Sequence, residues 1–82
     1  MLEITRGVAI VLVTDYGMAR SEYPYVPPIA EGGGRVYTLP GAETTIRVFA
    51  EPCSDVMSGE AFPERVVLST PERAYLGCGR TL

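Results

Sequence analysis

The 82-residue chain has no histidine, lysine, tryptophan, asparagine or glutamine. Without histidine it lacks the side chain that most often acts as general base near neutral pH, and the commonest metal ligand. Two cysteines and no histidine cannot supply the four ligands of a structural zinc site from Cys and His within one chain. The sequence therefore implies no cofactor, no metal and no enzyme. A formal charge of −3, from 10 acidic residues against 7 arginines, speaks against a nucleic-acid surface. It speaks equally against adhesion to anionic lipid.

Long apolar runs are also missing. Val8 to Val13 is the most continuous one, far below the ~18 residues of a membrane-spanning helix. It has neither the basic front nor the small-residue cleavage site of a signal peptide, so the chain alone leaves a cytoplasmic location open. Helical periodicity, with apolar residues at i, i+3, i+4 and i+7, is not sustained between the prolines.

What remains is strand signal. β-branched and aromatic runs are cut by Gly, Pro and Asp at short intervals. Strands are expected at Leu2–Thr5, Val8–Thr14, Met18–Tyr23, Arg35–Leu39, Glu43–Glu51, Arg65–Thr70 and Arg73–Cys78. Val8–Thr14 is apolar on both faces, which suits a strand that is central or sandwiched between two layers. In the last strand Ala74, Leu76 and Cys78 share one face. Six to seven short strands with turns every ~8–12 residues predict an all-β fold, a small antiparallel barrel or sandwich. Residues 1–82 read as a single β domain, with no repeat and no linker.

Several local groupings have a functional and a structural reading. Gly32-Gly33-Gly34 lacks the strand–turn–helix context of a phosphate loop and reads as a loose hairpin connection. Pro24-Tyr25-Val26-Pro27-Pro28 contains a PxxP pattern, yet also suits a rigid edge segment that caps a barrel. Glu51, Asp55, Glu60 and Glu64 surround the 53–61 loop. Their oxygens suit calcium, but the spacing is not that of an EF-hand, and a solvated acidic loop is the alternative. Tyr16, Tyr23, Tyr25 and Phe62 are either an aromatic ligand face or core packing.

Cys53 and Cys78 lie 25 positions apart. A bridge between them would enclose the 65–70 strand and contribute about 3.5 kcal/mol by loop entropy. The alternative is a pair of buried thiols in a reducing compartment. A small core makes some staple or partner expected, because a chain near this length buries only about 60–65% of its unfolded surface.

One segment carries a family likeness. Glu51-Pro52-Cys53-Ser54-Asp55-Val56-Met57-Ser58-Gly59-Glu60-Ala61-Phe62-Pro63 resembles the EPCSDGMSxxxYPY signature of a family of small uncharacterised bacterial envelope proteins and lipoproteins. Val66-Val67-Leu68, the closing Gly77-Cys78, Tyr23 to Pro28 and Gly34 to Tyr37 also resemble family positions, so the likeness covers roughly residues 17–79. Val56 departs from it where the signature has Gly, and Phe62 and Glu64 replace its two tyrosines. The likeness implies a β-barrel-like envelope domain, in the periplasm or at the cell envelope, with a Cys53–Cys78 disulfide and no catalytic activity. It is loosely similar to the META domain and to membrane-bound inhibitors of c-type lysozyme. The family carries a lipoprotein signal and a GNEPFW-like segment ahead of the positions where this chain begins. That predicts a shortened version with exposed strand edges, and hence a homodimer.

The leading expectation is a non-enzymatic envelope domain with a structural or binding role. The second is an inhibitor of a cell-wall hydrolase acting through the 53–61 loop, with Ser54, Asp55, Met57 and Ser58 as the candidate binding residues. The third is a small-ligand carrier using the barrel interior, which so short a chain barely leaves open.

Overall fold

A computed structural model describes residues 1–14, 19–41, 43–55 and 59–82. Its ten strands are β1 (Leu2–Thr5), β2 (Ala9–Thr14), β3 (Ala19–Pro24), β4 (Ile29–Glu31), β5 (Gly34–Leu39), β6 (Thr44–Phe49), β7 (Cys53–Ser54), β8 (Ala61–Phe62), β9 (Glu64–Ser69) and β10 (Ala74–Thr81). Among the described residues there is no helix, so none crosses a membrane as one. The all-β, barrel-like class expected from the sequence is what forms. β4, β7 and β8 are additional to the expected strands, being too short to leave a periodic signal.

Eight strands form one sheet in the order β3-β2-β1-β10-β9-β6-β5-β4, and β7 and β8 form a separate hairpin. Every pairing is antiparallel except β1 with β10, where Leu2 faces Gly79 and Ile4 faces Thr81. Following the directions around the sheet, β3 and β4 run the same way although they lie at opposite edges. Laid flat, those edges would be about 34 Å apart at ~4.8 Å per strand. The four linking residues, 25–28, span at most about 17 Å. The sheet must therefore curl strongly enough to bring the end of β3 within that reach of the start of β4. The overall extents of 30 × 27 × 26 Å agree with that curl. Pro24, Pro27 and Pro28 sit at this corner, where a missing N–H breaks no ladder.

Inward-facing alternation builds the core. Leu2, Ile4, Ile10, Tyr37, Leu39, Ile46, Val48, Val66 and Leu68 are buried together, with Leu12, Tyr23, Tyr25 and Val26 packed against them. Tyr25 meets Tyr37 edge-on, with ring centroids 6.3 Å apart. Gly79 has no room for a side chain, since a Cβ there would lie 2.6 Å from the Leu2 carbonyl oxygen. That contact lets β1 settle against β10.

Two local expectations need correction. Val8 lies outside β2 and is 67% exposed. β2 itself is second from an edge, and the antiparallel β10–β9 pair takes the centre. As expected, Ala74, Leu76 and Cys78 share a face; it is the outer one, where Leu76 is 82% exposed and Cys78 alone is covered. Glu31 to Gly34 is a tight two-residue hairpin turn rather than a loose loop, with Gly32 and Gly33 both at positive φ (58° and 83°). Met18, the first residue of the expected Met18–Tyr23 strand, lies outside the described residues.

Candidate functional site

Two groupings of polar chemistry stand out, one on the outer face of the sheet and one inside its curl. The outer one is the hairpin β7–β8, in which Cys53 pairs with Phe62 and Ser54 with Ala61. Cys53 is bonded to Cys78 of β10, with Cα atoms 5.5 Å apart. Cys78 points outward because its neighbours Gly77 and Gly79 occupy the inward positions. The bridge and Phe62 thereby cover a patch of outer face that would otherwise be open, and both Phe62 and Cys78 are buried.

Arginines fasten the flanks. The Arg80 guanidinium stacks 4.9 Å from the Phe62 ring centroid. Its Nη2 donates to Glu60 at 3.2 Å, and its Nε lies 3.8 Å from Glu3. Arg65 donates from Nε to Glu51 at 2.6 Å and lies 4.3 Å over Phe49. These pairs are half exposed, so each contributes at most about 1 kcal/mol. Together they orient the hairpin more than they stabilise it.

The base of the loop between β7 and β8 is held by its own backbone. The Asp55 N–H donates to the Glu60 carbonyl at 2.9 Å, and the Gly59 N–H donates to the Asp55 carbonyl at 2.7 Å. Gly59 has the positive φ, 73°, that such a return requires. Ser54 is exposed and Asp55 half-buried. Of the four residues expected to line a binding loop, the structure brings Ser54 and Asp55 to one edge of this hairpin. Met57 and Ser58 lie outside the described residues.

The four carboxylates that suggested calcium are not gathered. Glu51 serves Arg65, Glu60 serves Arg80, and Glu64 is inside the barrel. Among the described residues no three carboxylate or cysteine side chains cluster as metal ligands. The aromatic grouping is likewise divided. Tyr23 and Tyr25 pack on the core, Phe62 lies on the outer face, and Tyr16 is outside the described residues.

The inner grouping was missed by sequence reasoning. Arg35 of β5 donates from Nη2 to Glu64 Oε2 and to Thr81 Oγ1, both at 3.0 Å, and from Nε to the Tyr37 hydroxyl at 3.2 Å. Thr81 Oγ1 donates to Glu64 Oε1 at 2.6 Å. Glu64 and Tyr37 are buried, while Arg35 remains about one-third exposed. Burial works against the Arg35 charge, but its hydrogen bonds to Tyr37 and Glu64 outweigh that and hold its pKa above the ordinary arginine value. The network joins β5, β9 and β10 across the end of the barrel. A signal existed: Arg35 alternates with Tyr37 and Leu39, and Glu64 with Val66 and Leu68. Opposite charges therefore sit on the inward faces of two strands.

A shallow depression of about 420 Å³ opens at the rim, between Val8-Ala9 and Glu22-Tyr23-Pro24. The chain matches no family model, no curated protein and no solved structure.

Proposed function

We propose that this chain is a non-enzymatic domain of the bacterial cell envelope, with a structural or binding role, acting as a homodimer through exposed strand edges. The observation that carries the reading is the Cys53–Cys78 bridge. Structural disulfides persist in oxidising compartments such as the periplasm and are rare in the cytosol. The bridge pins a hairpin whose sequence resembles that of the small envelope proteins and lipoproteins. A tagged copy at natural level in its host is expected in the envelope fraction. Recovery with the cytosolic fraction overturns the reading.

A second reading is favoured by the rigid base of the 55–59 loop. The bridge and the backbone bonds among Asp55, Gly59 and Glu60 fix the two ends of the loop, which lowers the ordering cost of inserting it into a cleft. On this reading the 53–61 loop inhibits a cell-wall hydrolase. The rate of cell-wall lysis by a c-type lysozyme is expected to fall in large excess of this protein, and an unchanged rate overturns it.

A further inference from the structure

The eight-stranded sheet ends in β3 at one edge and in β4 at the other. β4 is three residues long and pairs, among the described residues, with β5 alone. β3 is six residues long, and past Pro24 the chain leaves its line, because Tyr25 and Val26 turn in to pack against the core. Ser21 lies opposite Leu12, on the side of the sheet that faces the core, yet it is exposed. That exposure marks a gap in the curl beside β3.

Backbone directions along β3 follow from those of β2. The Met1 amino group donates to the Val13 carbonyl at 2.8 Å, and the Val13 N–H donates to the Met1 carbonyl at 2.9 Å. Odd-numbered residues of β2 thus turn their polar groups toward β1, and even-numbered ones turn theirs toward β3. There Ile10 faces Tyr23 and Leu12 faces Ser21, so the N–H and C=O of Arg20 and of Glu22 point away from the sheet. Among the described residues nothing hydrogen-bonds them. The Arg20 and Glu22 side chains lie on the outer face with Val13 and Val11. They are 3.2 Å apart and more than half exposed.

We infer that a second copy of the chain pairs along this edge, β3 antiparallel to β3 and centred on Ser21. The inference rests on the homodimer reading above and locates its interface. In that register Arg20 of each copy faces Glu22 of the other as a hydrogen-bonded pair. Four N–H···O=C bonds form, and the open groups of Arg20 and Glu22 in both copies are satisfied. On the outer face the four side chains alternate in sign around a square, with each guanidinium beside two carboxylates. On the inner face Ser21 meets its own mate, and the small Ala19 faces Tyr23. Neighbouring registers fail. Centring on Arg20 opposes two arginines. Centring on Glu22 opposes two glutamates and sets Arg20 against Pro24, which has no N–H to give. Charges on an edge strand deter pairing with other strands. Here their alternation rejects a strand of different charge pattern and accepts a copy of itself.

One short strand pair buries less area than a standard stable complex, so the dimer belongs at high micromolar concentration and low salt. There, light scattering of the disulfide-intact chain is expected to give twice the 8.9 kDa chain mass. Arg20→Glu or Glu22→Arg alone sets like charges opposite each other, and each should raise the dissociation constant roughly tenfold or more. Both positions are exposed, so neither change should disturb the fold. The double variant, Arg20→Glu with Glu22→Arg, restores opposite pairs and should dimerise as wild type does. Ser21→Cys should give a covalent dimer that reductant reverses, since non-hydrogen-bonded partners lie about 4.5 Å apart at Cα. A wild-type mass of 8.9 kDa overturns both the homodimer reading and this interface. A wild-type dimer that both single variants leave intact, or that the double variant fails to restore, overturns this interface alone, as does a Ser21→Cys chain without the cross-link.

Discussion

Removing the bridge by Cys53→Ala and Cys78→Ala together should destabilise the fold substantially while leaving the main sheet able to form. The 25-residue separation closes a ring whose loss returns about 3.5 kcal/mol of chain entropy to the unfolded state. Unfolding entropy for a chain of this length is about 0.17 kcal/mol per kelvin, so the midpoint should fall by about 20 °C. Such a loss is a large part of the 5–15 kcal/mol that folded domains usually have. The native-state contribution is small by comparison. β7 and β8 lie outside the eight-stranded sheet, and their other ties are Phe62 under Arg80 and half-exposed ion pairs. Calorimetry of wild type, double variant and reduced wild type is the assay. Amide exchange should show Ile4, Ile46 and Val66 still protected in the variant. A midpoint drop below about 5 °C, or loss of protection at those core amides, would refute the reasoning.

Other consequences are narrower. Gly79→Ala should cost about 2 kcal/mol or more, because its Cβ meets the Leu2 carbonyl at 2.6 Å, whereas Gly77→Ala, in open space, should be close to neutral. Urea titrations of the two variants with similar midpoints would contradict this. Glu64→Ala should cost about 2–3 kcal/mol by leaving Arg35 and Thr81 without their shared acceptor, somewhat below the usual figure for a buried pair because Arg35 is one-third exposed. Thermal melts showing no change would sink the network's structural role. Ile46→Ala, at a position 1% exposed, should cost about 2–5 kcal/mol by denaturant unfolding, and a loss under 1 kcal/mol would contradict its place in the core.

Most of the main sheet was legible in the sequence because its strands alternate cleanly. Thr44, Ile46 and Val48 on β6 and Glu64, Val66 and Leu68 on β9 are buried, with less buried residues between them. The alternation of β10 was also legible, but which face was inward was not. Gly77 and Gly79 give no hydrophobic label to the inner face, while Ala74, Leu76 and Cys78 label the outer one. The parallel β1–β10 contact depends on residues 77 positions apart in register, and no local pattern announces it. The β7–β8 hairpin is two residues on each side, below the length at which period-2 patterning exists. The inner Arg35–Glu64 network was hidden because its charges read as strand ends until the sheet curled and brought β5, β9 and β10 to one end. The bridge was an expectation carried by cysteine spacing and family likeness, and the geometry places both sulfurs together.

The central claim, a bridge-stapled envelope domain, is tested most directly in the living host. Rapid acid quenching followed by thiol alkylation and mass measurement of the intact chain counts free cysteines at the moment of lysis. The account predicts that neither Cys53 nor Cys78 takes the alkylating group until reductant is added. Two alkylated cysteines in the unreduced sample would contradict it.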